Sequence, residues 1–324
     1  MKTFKMINNN ICAGAKQNRI NFLIMALIFI SFNASNVLAK SGIGTQTLSS
    51  KSMRSMARVY MSYGYYGKAQ PLAERALELA EQSAASDEEL SMCLGDLSYI
   101  YTKQGQLENA EEKCKLSIEL QEKAYDFRHP YIAYSLRNLC TIYRLQGKVQ
   151  QAEETLKTSL AIMYEYYKAD DGILAPFYVD LAKVFVSMNN MQQSEEYFSK
   201  ALDMVVVRYG SDHLYTANVM SDVAEFYAAN GNYEKAEPLA RKAQAIQERV
   251  YGIKHHLVAP TWLTMAAIYQ AKGQSAQAEK FIAKAVTAVE RTGDIAAVAK
   301  LAQQAAEVRS VKALAFAGAE RTVN

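Results

Sequence analysis

Apolar and polar residues alternate along most of this chain with a helical period, and the helical stripes themselves recur. Aromatic residues stand at Tyr60, Tyr101, Tyr143, Phe185, Tyr227 and Tyr269, separated by 41 residues once and by 42 four times. Four residues before each lies an apolar partner one helical turn away: Met56, Leu97, Leu139, Leu181, Val223 and Met265. Next to these sit small residues, Ala57, Ser98, Cys140, Ala182, Ala224 and Ala266. Four residues after each aromatic comes Gly64, Gly105, Gly147, Asn189, Gly231 or Gly273, residue types that tolerate the left-handed backbone ending one helix and turning into the next. Five further on is Ala69, Ala110, Ala152, Ser194, Ala236 or Ala278, small enough to let a second helix approach the first. The columns predict six helical hairpins, each unable to bury its apolar face alone and each completed by its neighbour.

With these columns in place, Trp262-x-x-Met265-Ala266-x-x-Tyr269, followed by Ala278 and Ala285, resembles the tetratricopeptide repeat. The period is about 42 residues instead of 34. The extra residues fall between hairpins, at Arg128-His129-Pro130, Ser211-Asp212-His213-Leu214 and Lys254-His255-His256-Leu257, which resembles the long repeats of kinesin light chains. The resemblance implies an all-α, right-handed α-solenoid of about six hairpins over residues 50–291. A capping helix is expected over 292–314, opened by Thr292-Gly293-Asp294, with a disordered tail over 315–324.

The N-terminal 39 residues differ from the repeats. Lys2, Lys5, Lys16 and Arg19 precede the apolar run from Phe22 to Ile30, and Val37-Leu38-Ala39 follows. This order predicts a secretory signal peptide cleaved after Ala39, then a polar lead-in over 40–49. The apolar run is shorter than the roughly 20 residues of a membrane span, so no span is expected after cleavage. The expected location is the periplasm or the extracellular medium.

Cleavage changes the charge balance. It removes four of the 36 Lys+Arg and none of the 33 Asp+Glu, leaving a formal net charge of −1 in place of +3. Nucleic acid is therefore not an expected partner, since phosphate binding needs a basic surface. Cys12 leaves with the leader; Cys93, Cys114 and Cys140 remain without CxxC spacing, and read as small apolar fillers of helix contacts that leave a disulfide open.

Catalytic chemistry is not announced. No P-loop, GxGxxG, GxSxG or HExxH occurs, so neither a cofactor nor an enzymatic activity is expected. His129, His213 and His255 share one repeat phase in different hairpins, which keeps them from converging on a metal. The adjacent carboxylates Glu111-Glu112 and Glu153-Glu154 read as a solvated face.

The exposed side of each first helix is more informative, because the resemblance places it on the concave face. Five residues before the aromatic column runs a polar ladder, Ser55, Asp96, Asn138, Asp180, Asp222 and Thr264, beside Arg54, Arg58, Tyr99, Arg137, Arg144 and Lys183. In the long-repeat relatives the ladder position is commonly Asn, which bonds an extended peptide backbone; Asn138 keeps it. Arg54, Arg58, Asp96, Tyr99, Arg137, Asn138, Arg144, Asp180, Lys183 and Asp222 are the candidate partner-binding residues, for a protein or peptide segment, acidic or extended. The expectation is a non-catalytic interaction scaffold. Its rivals are an assembly subunit using lateral or end surfaces and, more remotely, an enzyme with a site between repeats.

Overall fold

A computed structural model describes residues 49–292 and 295–320; the leader and the lead-in up to residue 48 lie outside them. The described residues form thirteen α-helices and no strand. Six hairpins follow one another: α1 (Ser50–Ser62) with α2 (Tyr66–Gln82), α3 (Asp87–Gln104) with α4 (Leu107–Ala124), α5 (Pro130–Leu145) with α6 (Val149–Tyr164), α7 (Ala175–Ser187) with α8 (Met191–Tyr209), α9 (Leu214–Ala229) with α10 (Tyr233–Tyr251), and α11 (Ala259–Ala271) with α12 (Ser275–Glu290). The last helix, α13, spans Ile295–Glu320, past the end at 314 expected from the sequence, and packs on α11 and α12. Its Leu301 and Ala305 are buried against the final hairpin.

Every hairpin turn uses the predicted residue in the left-handed region, including Asn189 at φ 58°, where only the side chain type departs from glycine. The two small columns meet across each hairpin. Ser98 Oγ on α3 donates to the Ala110 carbonyl on α4 at 2.9 Å, and Ser194 Oγ on α8 donates to the Ala182 carbonyl on α7 at 3.0 Å. A hydroxyl can reach the opposite backbone only where the helices touch without intervening bulk, so a larger residue at Ala110 would overpack this contact. A further small column, Ala76, Ser117, Ser159, Ala201, Ala243 and Ala285, is fully buried and seats each second helix; Ser117 donates to the Ser91 carbonyl and Ser159 to that of Ala133.

The hairpins are joined by polar ties as well as apolar burial. Tyr101 donates to Glu74, and Tyr227 to Glu195, each reaching the second helix of the preceding hairpin. Glu111, at first sight part of a solvated face, accepts from Lys115 at 2.6 Å and from Lys148 and Gln146 of the next hairpin, each at 2.9 Å. Lys115, then Lys148 and Gln146, bring its pKa down to about 2. Its register equivalents Glu195, Glu237 and Glu279 likewise pair with Lys235, Lys272 and Arg309.

The extra residues of the long repeat build helix N-caps. His129, His213 and His255 accept through Nδ1 from the backbone N–H of Tyr131, Tyr215 and Leu257 at 3.2, 3.1 and 3.3 Å. Asp171 fills the same place in the fourth repeat, accepting from Ile173 N–H at 3.0 Å. Each histidine ring also stacks on the tyrosine four residues earlier, Tyr125, Tyr209 or Tyr251.

Candidate functional site

First helices of successive hairpins approach one another directly at α1–α3, α3–α5, α5–α7 and α9–α11, and Lys183 of α7 reaches Asp222 of α9, so their outward faces line one wall. The ladder residues lie on that wall, but their side chains run along it. Arg54 Nε is 3.3 Å from Asp96, Arg137 Nε 3.1 Å from Asp180, and Lys183 Nζ 2.8 Å from Asp222. Each pair joins one hairpin to the next. Three of the five cations of the basic groove read from the sequence are therefore paired with the aspartates beside them.

Asn138 is drawn in the same direction. Its side-chain NH2 donates to Ser98 Oγ at 2.9 Å, toward the preceding hairpin, with Cys114 Sγ at 3.9 Å. Two cations differ: Arg58 is exposed, Arg144 is half-buried, and neither forms a salt bridge among the described residues. Tyr99 is 37% exposed, with its ring edge-on to Tyr66 and Lys103 Nζ 5.1 Å from its centroid.

The electrostatics show how closely the wall is enclosed. Burial raises the Asp96 carboxyl to about 6 although Arg58 and Arg54 pull it down. At Lys183 burial works against the charge, but Asp222, Asp180 and Glu225 outweigh it and the pKa rises. Glu225 is raised by burial and by Asp222, against Lys183, Arg144 and Lys300. Its side chain still reaches solvent. Glu225 and Lys300 were not among the sequence candidates. Lys300 belongs to α13, so the capping helix also bears on the charge at Glu225.

A second group missed by the sequence surrounds Arg137, whose guanidinium lies 5.3 Å from the Phe177 ring centroid. Tyr134, 39% exposed, is edged by the same Phe177 ring at 5.6 Å. Tyr215 is pushed up to about 12 by burial, with Arg137 opposing and Tyr209, Asp180 and Tyr134 adding to it. These tyrosines precede the aromatic column and have no counterpart in every repeat, so periodicity does not reveal them.

The three thiols are free, buried and separate, with Cys114 pushed up to about 11 and Cys140 to about 12 by burial. Among the described residues no group of three His, Cys, Asp or Glu is arranged to hold a metal ion, and no helix is long and apolar enough to cross a membrane.

Stacked helical hairpins with touching first helices and a capping last helix define an α-solenoid. Tetratricopeptide repeat profiles match residues 90–165, 175–204 and 219–291. The chain belongs to the tetratricopeptide repeat family. Solved structures share the fold: a Rap protein complexed with competence and sporulation factor (TM-score 0.61, 12% identity, covering 84% of this chain and 79% of that one), RapI in its apo form (0.59, 15%, 81% and 90%), and BtubC from P. vanneervenii (0.52, 19%, 70% and 91%). No match was found among curated protein sequences.

Proposed function

We propose that this protein is an exported, non-catalytic scaffold that holds an extended segment of another protein on its concave face. The observation that carries the reading is the division of labour on that face. Arg54, Arg137 and Lys183 are spent on tying hairpins together. Among the described residues Arg58 and Arg144 form no salt bridge, and Tyr99 and Tyr134 present exposed rings. Two guanidinium forks and two aromatic platforms suit a segment carrying carboxylates and apolar side chains. A wall already fixed by its own ion pairs loses little entropy when a flexible chain docks along it. The likeness to a Rap protein solved with a bound factor agrees with this use of the fold.

The leader pattern within residues 1–39 supports export, with the mature chain beginning at Lys40 in the periplasm or outside the cell. The test compares the mature protein with an Arg58→Glu, Arg144→Glu variant in affinity capture from native envelope extract, after circular dichroism has shown equal helicity. A partner held by the first and released by the second supports the groove. Identical captures would move binding to a lateral or end surface.

A further inference from the structure

The first and sixth hairpins are far apart in sequence, yet they meet. The α1–α2 turn, Tyr63-Gly64-Tyr65-Tyr66, lies against the connection that leads from α10 into α11. Tyr63 and His255 have ring centroids 6.1 Å apart, and Tyr65 and His256 are 5.0 Å apart. His256 stacks on His255 at 4.6 Å, and His255 on Tyr251 at 5.2 Å, so aromatic rings continue across the junction.

The fit is specific to these two turns. A Cβ on Gly64 would stand 2.6 Å from His256 Nε2 and 3.0 Å from Leu257 Cδ2. At Gly105, Gly147, Gly231 and Gly273 the backbone has nearly the same φ, and a Cβ would meet nothing within 4 Å. The residues flanking those turns are Gln104 and Gln106, Gln146 and Lys148, Asn230 and Asn232, and Lys272 and Gln274. Only the first turn is flanked by tyrosines, and only the last connection carries a second histidine. Both surfaces are thus modified where they meet and ordinary elsewhere.

We propose that these turns are the two halves of a clasp, which closes one superhelical turn around the concave face, and that an extended segment gains that face when the clasp opens. The contact joins opposite edges of the solenoid, because hairpin turns lie at one end of the helices and inter-hairpin connections at the other. The role given to opening rests on the concave face being the binding surface; the clasp itself does not.

The test measures the distance between nitroxide labels at Ser62→Cys and Ile253→Cys, both exposed, in the full chain with its four native cysteines replaced by alanine. The closed clasp gives one narrow distribution. Gly64→Ala, which must displace the His256 turn, broadens it toward longer distances, and Tyr65→Ser, which removes the ring facing His256, does the same without touching the glycine. Gly105→Ala carries the same backbone strain into open space and leaves the distribution unchanged. If Gly64→Ala and Tyr65→Ser both leave it as narrow as Gly105→Ala does, the clasp is refuted. No partner is needed, so that failure leaves the scaffold reading standing, and unchanged capture by the Arg58, Arg144 variant leaves the clasp standing.

Discussion

One histidine cap makes the fold sensitive to mild acid, at His255. Its Nδ1 accepts from Leu257 N–H at 3.3 Å ahead of α11, and its ring stacks on Tyr251 with centroids 5.2 Å apart. An imidazole protonated at Nδ1 presents a donor to a donor, so the bond is lost and the two N–H groups repel. Removing an N-cap costs about 1 kcal/mol. Burial lowers the pKa of His255. A group with a lowered folded value contributes stability that is full above its unfolded pKa and lost as pH falls through the folded one. His255→Ala should lower Tm by about 2–4 °C at pH 7.5, and by less as the pH falls and the wild-type cap is lost. His255→Asp, copying Asp171, should hold the cap through that fall and lose less Tm than wild type. Thermal melts by circular dichroism, run from pH 7.5 downward, read all three. A cost of His255→Ala that does not change with pH would refute the cap as the titrating element.

Three other substitutions or treatments test separate parts of the packing. Asn138→Ala removes a part-buried donor between hairpins and should cost about 1 kcal/mol in urea unfolding; an unchanged midpoint would mean the amide is not a tie. Asp96, raised to about 6 by burial, contributes stability that is full below its unfolded value and lost as pH rises through 6. Asp96→Asn should therefore raise the urea midpoint at pH 7.5, by on the order of 1 kcal/mol, since a two-unit shift is worth roughly 3 kcal/mol and Arg54 loses its counter-ion; a lower midpoint would mean the pair outweighs the burial. In the chain beginning at Lys40, a thiol reagent at pH 8 should find no fast-reacting cysteine until urea exposes all three, because Cys93, Cys114 and Cys140 are buried; immediate labelling of any of them would contradict that packing.

The parts legible in the sequence are those that the backbone repeats six times. A left-handed residue, an aromatic and two small residues recur because each hairpin solves the same steric problem, and six copies turn weak preferences into a pattern. The third small column, Ala76 to Ala285, is equally periodic, and the sequence reading drew on it only at Ala285. The ladder was found by position but misread in direction. Arg137 and Asp180 are on the groove-facing side, and nothing in their spacing tells whether a long side chain points outward or lies down toward the next hairpin. That choice depends on a distance of about 3 Å that stacking sets. The clasp was further out of reach. It depends on rotation accumulated over five hairpins, and its traces in the sequence are a first turn flanked by tyrosines and a last connection with a second histidine.

The same ladder lets stability and binding be separated. In a solenoid each interface between neighbours contributes its own share of stability, so a cation that ties two hairpins and a cation that faces a partner are distinguishable by what their loss changes. Arg137 bonds Asp180 and lies on the Phe177 ring; Arg137→Ala should weaken the third-to-fourth hairpin interface, shown by faster hydrogen exchange in α5 and α7, and should disturb binding through that loosening. Arg144→Ala breaks no such pair and should alter binding with exchange rates unchanged. The reasoning fails if Arg144→Ala loosens α5 as much as Arg137→Ala does, because Arg144 would then tie hairpins together as Arg137 does.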